Sequence, residues 1–393
     1  MRLFSNESRR GGKIRPLNMI RHFSQSGHDV TVASLARDAR EVDEAGGLST
    51  YCQQVLLETI SQCMAWPRML LNVPTATPSS FGYFYSPRLK RRIHAELERT
   101  KYDLIFVHCS SVAPYVASVT GHAKIIDYGD VDSQKWREYA EQRRFPLSRA
   151  YWLEAVKLER VEQRFSEDFD LCTCTTPAEL ESLRGLGVSQ TSDWFANGVD
   201  AEFFKPAGVA YDPQKIAFVG RMDYFPNQQA VHWFCSAVWP KLRAMRPTLQ
   251  FVIIGADPPP PICALGQLPG VTVTGSVPDV RPFVQSAALT VAPLTIARGT
   301  QNKILESMAM ATPVISSPEA VGGVDAVPGE HLLVAHNVAE WVASIDALLA
   351  SPDRRNVLAA AARARVLSHH SWAASMRRLD GLIANVMHRK GFH

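Results

Sequence analysis

Two spacings of apolar residues run through the chain. Short dense runs of Val, Ile, Leu and Phe, bounded by turn residues, predict buried strands, and longer stretches with apolar positions every three or four residues predict helices. In the first half the strand-like runs are HDVTVAS, YDLIFVH, AKIIDYG, FDLCTCT and SDWFANG. Helical patterns lie between them: IRPLNMIRHFSQ, SPRLKRRIHAELERT and SRAYWLEAVKLERVEQRF. The second half repeats the scheme with QKIAFVG, LQFVIIGA, GVTVTG, ALTVAPL, TPVISS and HLLVA as strands. NQQAVHWFCSAVWPKLRAM and KILESMAM supply helices there, and three more follow HLLVA. This alternation predicts an α/β fold of parallel sheets flanked by helices.

The two blocks meet at NGVDAEFFKPAGVAYDPQK, residues 197–215, a stretch of turn residues with two prolines that reads as an interdomain connection. A length of 393 residues agrees, since roughly 100–200 residues per domain predicts two or three domains. In such an arrangement a ligand is expected at the carboxyl ends of the strands, in a cleft between the blocks.

Composition narrows the partners. Charged residues make up 20% of the chain and the net charge is +4, with no aromatic-studded basic stripe, so no nucleic-acid partner is expected. Seven cysteines without metal-ligand spacing, Cys172 and Cys174 among them, read as reduced core thiols. The opening MRLFSNESRRGGKIR has no apolar targeting segment, and no window is apolar over the ~18 residues of a membrane span. A cytoplasmic protein is expected. The basic clusters RRGGKIR (9–15) and RLKRR (88–92) are solvated helix ends by default, or a peripheral contact with anionic lipid.

Candidate chemistry gathers in ARGTQNKILESMAMATPVISS, residues 297–317. A buried strand ends in a loop containing Gly299, Lys303 stands at the start of an otherwise apolar helix, and Glu306 follows three residues later on the same face. A helix N-terminus with an added lysine suits a phosphate, and the carboxylate can accept two ribose hydroxyls. A solvated Lys–Glu pair is the bland alternative. KIAFVGRMDYFPNQQAV points the same way: Gly220 and Arg221 leave the carboxyl end of a strand, where an arginine can hold a diphosphate bidentately or form an interdomain salt bridge.

FVGRMDYFPN, VTGSVPDVRPFVQSAALTVAPL, the ARGTQNKILE run and NGVDAEFFKP together resemble the family 4 (group 1) glycosyltransferases, which have the GT-B architecture of two Rossmann-like domains. With IDYGDVDSQKW included, the chain is similar more narrowly to sugar transferases of bacterial exopolysaccharide and exosortase-associated clusters. The resemblance implies a first Rossmann-like, acceptor-binding domain over 1–198 and a second, nucleotide-sugar-binding domain over 199–370. Residues 371–393 are left as a C-terminal helix able to cross back.

It further implies retaining transfer from a nucleoside diphosphate sugar to a glycan or lipid-linked acceptor, with no metal and no other cofactor. Arg221 matches the family's diphosphate arginine, but the lysine six residues on is Asn227 here, so Lys303 is expected to supply the charge. Glu306 matches the second of two family glutamates and Arg298 replaces the first. Thr300, Gln301 and Asn302 complete the donor loop, and Val277 and Val280 in SVPDV frame the base. Gly11, Gly12 and Lys13 match a glycine-rich acceptor loop after a first strand that MRLFSN can form only as a stub. Asp130 falls near a family histidine that faces the transferring sugar, so it is expected at the acceptor and in catalysis. Asp132 reads as the N-cap of the helix SQKWREYA. Asp130-Val-Asp132 also has the spacing of a metal-binding pair, a reading set aside because it lies in the wrong domain. His108 reads as a satisfied strand-end histidine. The rivals are a catalytically impaired scaffold, a nucleotide-sugar epimerase of the same architecture, and a two-lobed solute-binding protein.

Overall fold

In the computed structural model, residues 11–188 and 192–391 are described. The chain divides into two units, one formed by the chain up to Ala196 together with Met376 onward, the other by Asn197–Ser375.

In the first unit β1 (Thr31–Ala36) pairs in parallel with β2 (Gln54–Thr59). A second parallel sheet runs in the order β3 (Leu104–His108), β4 (Ala123–Gly129), β5 (Leu171–Cys174) and β6 (Ser192–Trp194). β4 is central, and six of its seven residues are buried, which is why it reads as a continuous apolar run. Cys172 and Cys174 are both core thiols. The C-terminal helix Trp372–Arg389 reaches this unit: Val386 is buried with Ala123, Ile125 and Leu171, and Lys390 pairs with Asp170 at 2.9 Å.

Three expectations are corrected here. Gly11 and Gly12 open the helix Gly11–Gln25 and do not form a loop, and the stub of first strand lies outside the described residues. Arg15 of the RRGGKIR cluster is not at a solvated helix end: it is 3% exposed, because its guanidinium is bound to Asp127 on β4. The helix after β4 runs Asp132–Glu141 with Val131 as N-cap, so Asp132 lies in the first turn and accepts from Ser110 Oγ at 2.8 Å instead of capping.

The second unit has one six-stranded parallel sheet. Its strands are β7 (Asp212–Val219), β8 (Gln250–Ile254), β9 (Val271–Val273), β10 (Ala287–Ala292), β11 (Val314–Ser316) and β12 (Leu333–Val334), in the order β12-β11-β10-β7-β8-β9. β7 thus begins inside the 197–215 connection, whose Val199 bridges Ser371. The expected single helix over 227–245 is three segments, with a π-type turn at Phe234–Val238 beside Pro240, which has no N–H to continue the ladder. The core is built on Phe218, Phe234, Phe251 and Trp341.

Candidate active site

Read from β9 inward and out to β12, the strand order of the second unit is 3-2-1-4-5-6, the order that opens a crevice at the carboxyl ends of strands 1 and 4. Here those strands are β7 and β10. The residues that leave them are Gly220–Arg221 and the 293–301 loop, so the topology brings both sequence-predicted donor loops to one place.

Two glycine contacts let backbone approach backbone there. A Cβ on Gly255 would lie 1.8 Å from the Gly220 carbonyl oxygen, and one on Gly323 would lie 1.8 Å from the Gly299 carbonyl oxygen. Only glycine fits either place, and Gly299 itself has φ +60°, a conformation that side chains disfavour. Gly255 and Gly323 were not read from the sequence, although IGAD and VGG mark both as turns at strand or helix ends.

Lys303 stands in the first turn of the helix Asn302–Ala309. Its Nζ donates to Asn227 Oδ1 at 2.5 Å and lies 4.8 Å from the centre of the Phe218 ring. Asn227 Nδ2 in turn donates to the Arg221 carbonyl at 2.8 Å. The ammonium therefore sits at the side chain that occupies the family's lysine position. Although part of the residue is exposed, the ammonium itself is enclosed by protein, and burial lowers its pKa to about 7 against the opposing pull of Glu306. Glu306, one helical turn on, is partly buried.

Arg221 is already engaged. Nε and Nη2 donate to both Asp223 oxygens at 2.9 and 2.6 Å, and Nη2 also reaches Asp257 Oδ2 at 2.7 Å. Neither aspartate was foreseen, and the arginine's partners lie in its own unit, so the interdomain salt bridge is replaced by a local one. Asp257 holds φ +57°, a conformation aspartate tolerates better than most residues.

Around these charges, Gln301 is the N-cap residue of the Lys303 helix, and its Nε2 donates to the Arg298 carbonyl at 3.0 Å. Thr300 Oγ1 and Asn302 Oδ1 are buried polar atoms with no hydrogen-bond partner. Two such atoms two residues apart fit a place that meets water or a polar ligand. Val277 and Val280 pack beside the carboxyl ends of β7 and β8, against Val252 and Ile254.

In the first unit the titratable groups collect at the carboxyl ends of β3 and β4. Asp127 is fully buried and accepts from Arg15 Nε and Nη2 (2.8 and 2.9 Å), Thr173 Oγ1 (3.0 Å) and His108 Nδ1 (2.7 Å). Arg15 also donates to the Phe195 carbonyl at 2.9 Å and stacks on that ring. Burial alone would raise the Asp127 pKa; Arg15 and His108 outweigh it and hold the carboxyl well below the usual range. His108 is thus a satisfied histidine. The Arg15–Asp127 pair was missed, though an aspartate inside the run IIDYG demands a buried cation. Asp130 follows on the loop, where Thr175 Oγ1 donates to it at 3.2 Å. Burial and then Asp132 raise its pKa, with Lys135 and Thr175 opposing. Gly11, Gly12 and Lys13 lie in the first turn of their helix. Among the described residues no three His, Cys, Asp or Glu side chains gather as a metal site.

Residues 10–203 match the model of a family described as Glycosyltransferase Family 4, and residues 213–351 match that of Glycosyl transferases group 1. No curated protein sequence matches the chain. Among solved structures, a sucrose-phosphate synthase from Thermosynechococcus elongatus is similar at a TM-score of 0.77 and 18% identity, covering 99% of this chain and 96% of that one. Anabaena HepE in complex with UDP is similar at 0.68 and 14% identity, covering 98% of each chain. A trehalose-6-phosphate synthase studied for glycosyltransfer with retention is similar at 0.60 and 13% identity, covering 90% of this chain and 99% of that one. At these identities the likeness is one of fold.

Proposed function

The chain is a glycosyltransferase of the GT-B architecture, with two Rossmann-like units, and from that premise we propose that it moves a sugar from a nucleoside diphosphate donor to an acceptor hydroxyl without a metal ion. The single observation that carries this reading is the Lys303–Asn227–Arg221 chain at the switch point of the second sheet. The family lysine is absent at position 227, and the ammonium of Lys303, from the first turn of the helix Asn302–Ala309, stands there instead.

In this reading the donor diphosphate takes Lys303, the helix N-terminus and Arg221 as its partners, and Arg221 exchanges Asp223 and Asp257 for phosphate oxygens. Thr300 and Asn302 turn their unpartnered oxygens to the donor, Gly299 and Gly220 let it approach the backbone, and Gln301 shapes the loop. Glu306 accepts the ribose hydroxyls, the Val277–Val280 segment borders the base, and Arg298 meets the donor or an acidic group on a substrate. Asp130 serves the acceptor in the first unit, with Gly11, Gly12 and Lys13 at the helix start nearby in sequence to Arg15.

The acceptor oxygen forms a bond to the anomeric carbon as the bond from that carbon to the diphosphate breaks. The departing phosphate takes the acceptor's proton, and the sugar retains its configuration. Positive charge fixed before the reaction stabilises the negative charge that develops on the diphosphate. HepE binds UDP and the trehalose-6-phosphate synthase study concerns retention, which supports a uridine-type donor and this stereochemistry for the present chain. The acceptor is a glycan or a lipid-linked sugar in bacterial polysaccharide or glycoconjugate synthesis, in the cytoplasm.

A catalytically impaired scaffold is favoured by one observation, the neutralisation of Arg221 by two carboxylates. A panel of nucleoside diphosphates and nucleotide sugars separates the readings by thermal shift followed by turnover. Stabilisation with turnover supports the enzyme, stabilisation alone the scaffold, and neither result fits a donor site at β7 and β10.

A further inference from the structure

The helix Gln62–Asn72, in the first unit, is apolar on the wrong side. A helix on a water-soluble protein turns its apolar stripe inward. Here Ala65 is the one buried residue of the helix, while Trp66, Leu70 and Leu71 are 55%, 61% and 71% exposed. The only charge among its eleven residues is Arg68, whose Nη1 is tied to the Tyr85 carbonyl.

A second exposed apolar group adjoins it. Lys157 Nζ donates to the carbonyls of Asn72 and Val73, both at 2.8 Å, and Glu154 accepts from the N–H groups of Ser79 and Ser80 at 2.8 and 2.9 Å. Lys157 fastens the helix Leu147–Asp168 to the end of helix 62–72, and Glu154 fastens it to the start of the helix Ser79–Tyr83. Leu147 lies on the stripe of Glu154, two turns earlier or about 10 Å along the axis. It is half-exposed, and Phe145 just before it is 81% exposed.

Within the two segments that carry these groups the charge has one sign, with Glu138 and Glu141 standing just before the second. Residues 60–94 contain five Lys and Arg and no Asp or Glu, in a chain with 38 acidic residues in 393; residues 142–153 contain three Arg and no acid. Glu58, at the border, pairs with Arg88 and Arg92 and offsets part of this, but Lys90, Arg91 and the second segment keep the excess positive. A second copy of the chain would bring the same positive patch against itself across a two-fold interface, which repulsion disfavours.

We propose that this face is an interfacial docking surface for an anionic lipid bilayer, with Trp66, Leu70, Leu71, Phe145 and Leu147 entering the headgroup boundary and the surrounding Lys and Arg meeting lipid phosphates. Apolar insertion and basic attraction act together in such binding, and either alone is weak. No helix of the described residues is long and apolar enough to cross a membrane. The inference stands apart from the donor site, whose residues are all in the other unit.

Vesicle sedimentation of the full chain tests it, using phosphatidylcholine vesicles with and without one-quarter phosphatidylglycerol. The expected result is binding to the anionic vesicles only, weakened by 0.5 M salt. The paired substitution Trp66→Ser with Leu71→Ser should weaken binding about tenfold or more, given the apolar area withdrawn from water by two large side chains. Phe145→Ser should act in the same direction. All three positions are exposed, so the melting temperature and nucleotide turnover should stay at the parent's values. Failure to bind anionic vesicles would overturn the proposal, as would binding that the substitutions leave unchanged. Self-association of the parent, abolished by the same substitutions, would assign the face to a second copy and overturn it equally.

Discussion

Replacing Lys303 by methionine should make the protein more stable and less able to bind nucleotide. The ammonium is enclosed, and its pKa falls from 10.5 to about 7 because burial disfavours the charge. In the unfolded chain the same group keeps its proton to about 10.5. Between those values the unfolded state binds more protons, so the parent's stability rises with pH, and below about pH 7 the full cost of burying the charge is present. That gap corresponds to an upper bound of roughly 5 kcal/mol at ~1.4 kcal/mol per pKa unit. Methionine leaves Asn227 Oδ1 without its donor, which costs about 1–3 kcal/mol. A net gain of at most roughly 2–4 kcal/mol remains, or about 4–16 °C in melting temperature for a unit of this size. Thermal unfolding at pH 6 should show that increase, and it should shrink as the pH rises from 7 towards 10.5. Calorimetric titration with UDP at pH 7 should show affinity weakened about tenfold or more, since a charge-assisted bond contributes roughly 1.5–3 kcal/mol. A stability difference that ignores pH would refute the buried charge, and unchanged affinity would refute its use by the ligand.

Glu306→Gln should weaken UDP binding by about 10- to 100-fold while leaving the melting temperature near the parent's, because two ribose hydroxyls lose a charged acceptor; unaltered affinity would remove Glu306 from the ribose site. Arg298→Ala should lower kcat/KM about tenfold or more, each tenfold being ~1.4 kcal/mol of transition-state stabilisation, and steady-state kinetics like the parent's would remove Arg298 from the site. Glu162, buried beside the N–H of Ser133, has its pKa raised from 4.5 to about 8 by burial. Its folded form therefore holds a proton that the unfolded chain gives up, a stabilisation fully present below about pH 4.5 and lost as the pH rises through 8. Relative to the parent, Glu162→Gln should gain several degrees in melting temperature at pH 8.5 and little at pH 5; a difference independent of pH would contradict the assignment.

The parallel strands of the second unit were legible because each but β12 is a dense apolar run closed by Gly or Pro, and Phe218, Phe251 and Leu289 show why: they are wholly buried. In the first unit QVLLET merges into the apolar helix that follows, and with only Ile60-Ser61 and no Gly or Pro between them periodicity does not separate β2 from helix 62–72. The placement of Lys303 near the missing lysine's position was open to sequence reasoning, since both flank strand ends of one sheet. Asp223, two residues from Arg221, was open to it as well; Asp257 was not, because its bearing on Arg221 depends on the pairing of β7 with β8 and on the backbone of Asp257. Arg15 illustrates the opposite error. A basic cluster suggests solvent or lipid, and only the burial of Asp127 reveals that one of its members is a core cation. Gly11 and Gly12 were read as a loop from the family resemblance; a helix N-terminus accepts glycine as readily, because its first N–H groups need no helical partner.

The claim at the centre of this account is that fixed cationic groups, not a metal, carry charge from a nucleotide-sugar donor during glycosyl transfer. The most direct measurement is release of nucleoside diphosphate by the purified chain from a panel of nucleotide sugars in the presence of EDTA, repeated with Arg221→Ala and Lys303→Met. Release is expected from at least one donor, undiminished by EDTA and lowered at least about tenfold by each substitution. Release that disappears with EDTA and returns with manganese would contradict the claim and restore Asp130 and Asp132 as metal ligands, and release indifferent to both substitutions would place the donor elsewhere.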